Sequence, residues 1–153
     1  MLRSIIAVVA SYITMVILIM VAFTALWFGL GPNALLEPGS FKGNWTISIA
    51  APAITLIAGL VGGWMCAKIA RAPKPVIVLA AIVLGLGLLM AYFTIQKPYP
   101  ADPRDPAMTV AQIMEVGREP TWIALFNPIA GAATVLLGGL LLTKRPVPLT
   151  APR

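Results

Sequence analysis

Four stretches of this chain hold no Asp, Glu, Lys or Arg: Ile5 to Leu30, Trp45 to Ala67, Val76 to Ile95 and Thr121 to Thr143. Each reaches the roughly 20 residues that an α-helix, rising about 1.5 Å per residue, needs to cross the ~30 Å hydrocarbon core of a bilayer. In lipid the backbone must satisfy its own hydrogen bonds, and a helix does so within one segment. The stretches predict an all-α integral membrane four-helix bundle, with residues 1–153 forming one transmembrane domain. Charge is scarce throughout: 10% of residues are charged, against about a quarter in an ordinary soluble domain. The first stretch follows Arg3, as the apolar part of a signal peptide would. It runs past the usual length of about 7–15 residues and lacks a small-x-small cleavage site near Phe23, Thr24 and Ala25, so it reads as a retained anchor.

The spans 5–30, 45–67, 76–95 and 121–143 leave loops 31–44 and 96–120 on one side, and loop 68–75 and tail 144–153 on the other. Arg3, Lys68, Arg71, Lys74, Lys144, Arg145 and Arg153 all fall on the second side, with no acid. Lys42, Lys97, Arg104 and Arg118 share the first side with Glu37, Asp102, Asp105, Glu115 and Glu119, for a net of 4 − 5 = −1. By the positive-inside rule the basic side, and both termini, face the cytoplasm; Arg3, Lys68, Arg71, Lys74, Lys144 and Arg145 are the anchors. Orientation accounts for the basic residues without a nucleic-acid partner, and the bilayer is the partner the chain demands. Trp27, Phe28, Trp45, Tyr92, Phe93, Trp122 and Phe126 fall near the outer ends of the spans, the level at which aromatic rings settle.

The longest loop opens with "KPYPADPRDP". Prolines at 98, 100, 103 and 106 push their predecessors toward extended geometry, so this stretch is expected to leave the third span as a stiff, solvated strap. "TVAQIMEVGREP" follows and reads as a short helix, with Thr109 as N-cap, Gln112 at the capping-box spacing, and Gly117 and Pro120 as stops. Val110, Ile113 and Met114 share a face, which predicts an amphipathic helix lying apolar side down on the outer membrane surface.

The second and fourth spans resemble each other. "PAITLIAGLVGG" from Pro52 and "PIAGAATVLLGG" from Pro128 each run from proline to a glycine pair, with Lys68 and Lys144 at the same distance beyond. The first and third spans share M-x-x-F-T at Met20 and Met90. Two readings account for this: a duplicated two-helix hairpin, or equal depth imposing equal chemistry. Both prolines remove a backbone donor and free the carbonyls of Ser48 and Ala124, so kinks are expected. Bent helices could leave a shallow outer vestibule around Ser48, Pro52, Asn127 and Pro128. Small residues at four-residue spacing, Gly59 and Gly63 with neighbouring Gly62, Ala81 and Gly85, and Ala130, Thr134 and Gly138, are candidate helix contacts, within one chain or between copies.

Polar chemistry inside the spans is thin. They contain no ionisable carboxylate or amine, and the chain has no histidine, so a proton-coupled antiporter, an aspartyl membrane protease and bis-histidine haem ligation are all disfavoured. No catalytic residue, cofactor or metal ligand set is expected. Asn127 is the most costly polar group in a span, placed either to satisfy the carbonyl freed by Pro128 or to bind a ligand. Asn44-Trp45-Thr46 fits a glycosylation sequon but abuts the membrane. Cys66, the single cysteine, is either a small buried apolar residue or a lipidation site. Asp102, Asp105, Glu115 and Glu119 read as solvated charge.

Taken together, the Arg3 start, the short basic middle loop and the proline-to-Gly-Gly spans resemble small four-span bacterial inner-membrane proteins. That resemblance implies a bacterial cytoplasmic membrane and carries no functional motif. The expectation is a non-enzymatic helix-packing protein, an accessory or self-associating subunit whose partner is itself or another membrane protein. The alternative is a binder or carrier of a lipid-like molecule.

Overall fold

The computed structural model describes residues 2–98, 100, 103–105 and 107–143. Among the described residues six helices follow one another: α1 (Leu2–Leu30), α2 (Pro32–Leu35), α3 (Trp45–Ala70), α4 (Lys74–Gln96), α5 (Val110–Val116) and α6 (Thr121–Thr143). Four of them, α1, α3, α4 and α6, are long and apolar enough to cross a membrane. Their exposed surface makes the same point. Ile13, Ile17 and Met20 on α1, Ile57 on α3, Ile77 on α4 and Leu137 on α6 all lie outside the bundle. A water-soluble bundle would turn such residues inward, whereas lipid is an apolar solvent for them. The protein is a multi-pass membrane protein built as a four-helix bundle.

Around the bundle the order is α1, α3, α6, α4, with α4 closing back on α1. The short turn from α3 to α4 crosses the bundle diagonally. Arg71 makes the turn possible by adopting the left-handed conformation (φ 56°) and donating its N–H to Ala67 O at 2.9 Å. Pro73 then precedes α4. The helices reach into the expected loop: Lys68 lies in α3 and Lys74 begins α4, so the loop is shorter than residues 68–75. Lys144 and Arg145, and the tail to 153, lie outside the described residues.

The seam between α3 and α6 is the tightest in the molecule. A methyl group added to Gly59 would meet Thr134 Oγ1 and the Gly131 carbonyl; one on Gly63 would strike the Val135 backbone, and one on Gly138 the Leu60 backbone. Thr134 turns its hydroxyl back on its own helix, donating to Ala130 O and Gly131 O at 2.9 and 3.0 Å. Backbone meets backbone here, the packing that small residues permit in lipid. Each glycine pair serves two neighbours. Gly62 receives Met15 of α1 while Gly63 faces α6; Gly139 receives Val76 of α4 while Gly138 faces α3. The order within the pair is reversed between the halves, although α1 with α3 and α4 with α6 occupy the positions that two hairpins related by a long axis would take.

Ala81 and Gly85 correct one expectation. Both are exposed, and nothing lies within 4 Å of a methyl group placed on Gly85. The inward face of α4 is Val76, Leu79, Ala80 and Ala91, with Gly87 against Pro128. Four-residue spacing marks a face without saying which way it points.

One end of the bundle carries a folded cap. Trp27, Leu35, Leu36, Phe41, Ile47 and Ile113 form a small core there, separate from the one between the long helices. The capping box of α5 forms as expected: Thr109 Oγ1 accepts from Gln112 N, and Gln112 Oε1 accepts from Thr109 N at 2.8 Å. Its apolar face differs from expectation. Ile113 is buried in the cap core with Val110 and Val116 beside it, and Met114 is exposed, so α5 packs on protein. Trp27, expected among the interfacial rings, is also buried in this core.

Of the strap, Tyr99, Ala101, Asp102 and Pro106 lie outside the described residues, and Arg104 is held by the 31–44 loop. Arg104 donates from its backbone to Gly39 O at 2.9 Å and from its guanidinium to Pro32 O and Asn33 Oδ1. Asn44 spends its side chain capping α3, accepting from Thr46 and Ile47 and donating to Ala34 O at 2.8 Å; the sequon is structural in form. Cys66 is fully buried, the first of its two readings.

Candidate functional site

Where α6 leaves its glycine seam with α3 it meets α4 less closely, and a groove of about 430 Å³ opens near the cap. Its size lies within the roughly 300–1,000 Å³ range of small-molecule sites. Val83, Gly87, Met90, Ala91 and Thr94 of α4 form one wall, and Ala124, Asn127 and Pro128 of α6 the other, with Ile19 and Thr55 on the floor and Gly117, Arg118 and Glu119 at the mouth. From Thr94 to Val83 the wall covers about 16 Å at the helical rise. Polar groups gather toward the cap and apolar ones line the depth.

Glu119 enters the site because of how the chain approaches α6. Pro120 stops the preceding segment, Arg118 N donates to Phe41 O at 2.9 Å, and Gly43 N donates to Arg118 O at 2.7 Å, so residues 118–120 are clamped to the 31–44 loop. The clamp carries Glu119 over the groove and out of bulk water. Burial penalises the charged carboxylate and pushes its pKa up to about 7. Glu119 is therefore not the solvated charge that the sequence suggested. Beside it, Arg118 donates from Nη1 to Lys97 O at 2.6 Å, joining the end of α4 to the start of α6.

Asn127 lies two turns into α6 from Glu119, and its Nδ2 approaches Glu119 Oε2 at 3.5 Å, a long and weak contact. Its Oδ1 is shut off from solvent and has no hydrogen-bond partner. Buried acceptors are nearly always paired, and leaving one unpaired costs about 1–3 kcal/mol. The first of the two roles expected for Asn127, satisfying a carbonyl freed by Pro128, is not what its donor does.

The expected vestibule divides. Asn127 and Pro128 line the groove. Ser48 faces a different hollow, with Glu37, Lys42, Asn44, Trp45 and Trp122, on the other side of the α3 and α6 starts. Ser48 Oγ donates to Asn44 O at 2.8 Å, and Pro52 belongs to neither lining. Of the packing residues, Gly59, Gly62, Gly63, Ala130, Thr134 and Gly138 are buried between helices. Gly87 and Gly131, not singled out from the sequence, do comparable work against Pro128 and against Thr55 with Val83. Among the described residues no cluster of three metal-ligating side chains occurs.

Four long apolar helices with a capped end and a lateral groove define a multi-pass helical membrane protein. Comparison with protein-family models, curated proteins and solved structures finds no match.

Proposed function

We propose that this chain is a non-enzymatic protein of a bacterial cytoplasmic membrane that holds a lipid-like amphiphile in the groove between α4 and α6. The observation that carries this reading is the unpaired, buried Asn127 Oδ1 beside Glu119, at the polar end of an otherwise apolar groove. Polar groups in membrane helices are costly and tolerated for use. The charge pattern supports an orientation. Arg3, Lys68, Arg71 and Lys74 lie at the end opposite the cap, which by the positive-inside rule supports a cytoplasmic N-terminus and an outer cap. The groove then opens into the outer leaflet, its mouth at headgroup depth beside the cap.

Purification in native nanodiscs followed by mass spectrometry tests the reading. A hydrophobic small molecule or lipid is expected to accompany the chain in fixed proportion and to be diminished by Asn127→Leu. Recovery of the same lipids at the same level from wild type and variant would count against it.

A second reading, an accessory or self-associating subunit, draws support from Ala81 and Gly85. Gly59 and Gly63, the expected contact face, are consumed inside the chain, whereas the α4 pair lies open on the lipid side. Gly85→Leu is expected to break any complex formed through α4 in mild detergent while sparing the monomer; an unchanged complex would exclude that face.

A further inference from the structure

We infer that the opposite, basic end of the bundle carries a second lipid site: a groove between α1 and α4 that takes one anionic phospholipid, its phosphate on the Lys74 ammonium and the Ser4 hydroxyl. This groove and the one beside Asn127 lie at opposite ends of the molecule, so neither occupancy depends on the other. Helices α1 and α4 close less tightly than α3 and α6, and a groove of about 530 Å³ remains between them. Ile5, Val8 and Val9 of α1 and Val78 and Ile82 of α4 make its apolar walls. From Lys74 to Ile82 it runs about 12 Å at the helical rise, most of the depth of one leaflet of a ~30 Å core. Of the described lining residues only Ser4 and Lys74 have polar side chains. Both belong to the first turn of their helices, so both stand at the mouth.

Charge decides which lipid belongs there. Among the described residues every acid, Glu37, Asp105, Glu115 and Glu119, lies at the cap end. The basic end holds Arg3, Lys68, Arg71 and Lys74, and two of these are engaged away from the groove. Arg3 donates from Nε to Ile69 O at 2.6 Å, holding the start of α1 to the end of α3, and the Lys68 ammonium lies 4.5 Å from the centre of the Trp64 ring. Lys74 is exposed, with its stem on the groove. A phosphate at the mouth meets a charge-assisted donor from α4 and a hydroxyl from α1. A zwitterionic head would bring a further ammonium to an end that already holds four cations, so a head whose only charge is the phosphate is favoured. Basic pockets between membrane helices hold anionic head groups in this way. On the other face of α4 a second groove, lined by Pro73, Ile77 and Leu136 among others, is apolar throughout and serves as the control.

The test uses the full chain, delipidated in detergent, with dioleoyl phosphatidylglycerol and dioleoyl phosphatidylcholine, which share their acyl chains. Native mass spectrometry measures each retained lipid and their competition. Phosphatidylglycerol is expected to be preferred by roughly tenfold, the worth of about one hydrogen bond to a charged group. Lys74→Gln is expected to lower its retention on the order of fivefold, since a neutral donor replaces a charged one. Lys68→Gln removes the same charge outside the groove lining and is expected to change little in about 0.15 M salt, which screens charges that do not touch the phosphate. Val78→Trp fills the groove with every charge kept and is expected to expel the lipid, whereas Ile77→Trp, facing the apolar groove, is expected to retain it. All four of these side chains are exposed, so the fold is not at stake. Equal retention of the two lipids by wild type, or equal losses within either pair of variants, would overturn the site. Asn127→Leu is expected to leave the preference for phosphatidylglycerol unchanged; its loss in that variant would move the anionic lipid to the other groove and overturn the assignment to α1 and α4.

Discussion

Helix α6 meets its two long neighbours in opposite ways. Against α3 it presents Gly131, Thr134, Val135 and Gly138, and the backbones close until no methyl group could be added to Gly59, Gly63 or Gly138 without displacement. Against α4 the same helix closes at Val76 with Gly139 and at Gly87 with Pro128, then parts toward the cap and leaves the groove with Asn127 and Glu119. Both contacts use small residues and a Pro-bearing helix, so composition does not separate them. The difference lies in polar bookkeeping. The seam has its hydroxyls, Thr134 of α6 and Thr55 of α3, each bonded to its own helix backbone. The groove keeps an amide oxygen without a partner and a half-buried carboxyl whose pKa burial raises.

The largest expected effect falls on the seam. Gly63→Leu drives a side chain into the Val135 backbone, which cannot yield as a flexible side chain would. A loss of about 3 kcal/mol, the upper end for overpacking, is expected, read as a collapsed melting transition in detergent. Retention of wild-type stability would mean that the seam is looser than the groove, and the contrast would dissolve.

Next comes pH. The Glu119 carboxyl titrates at about 7 in the folded chain, against 4.5 when free. Between those values the folded state binds more protons than the unfolded state. Stability therefore falls as pH rises from about 4.5 to about 7 and is flat above. After allowance for partial exposure, about 2 kcal/mol is expected over that window. Melting curves across the range check it, and Glu119→Gln is expected to remove the slope.

Asn127→Leu sharpens the contrast from the other direction. Removing an unpaired buried acceptor is expected to raise the stability of the lipid-free protein by about 1 kcal/mol while weakening lipid retention. Loss of both together would make Asn127 an ordinary packing residue. The smallest effect is expected at Gly85, where a methyl group meets nothing: Gly85→Leu is expected to change monomer stability by less than about 0.5 kcal/mol.

The long helices were legible because their signal is local: an uncharged run long enough for a bilayer needs no knowledge of its neighbours. The Thr109 capping box was legible for the same reason, and so was the pairing of Gly59 and Gly63 on one face. What the sequence could not convey depends on tertiary neighbours. Ala81 and Gly85 have the spacing of a contact face, but α4 is rotated so that Gly87 and Ala91 point inward instead. Met114 shares a helical face with Ile113 on paper, yet the cap core accepts Ile113, Val110 and Val116 and leaves Met114 outside.

Glu119 is the most instructive case. Nothing in "VGREP" marks its carboxyl as buried, because the burial comes from the clamp between Arg118 and residues 41 and 43, made by a loop some 75 residues earlier. Its position one residue before Pro120 and eight before Asn127 was the one available hint, since both lie on the approach to the same span.

Photo-crosslinking with a phospholipid carrying a diazirine midway along one acyl chain asks most directly whether the groove is occupied. Adducts are expected to concentrate on the groove wall, at Val83, Met90 and Ala124, and to fall sharply in Asn127→Leu. Labelling spread evenly over lipid-facing residues such as Ile57, Ile77 and Leu137, unchanged by that substitution, would contradict a bound lipid at this site.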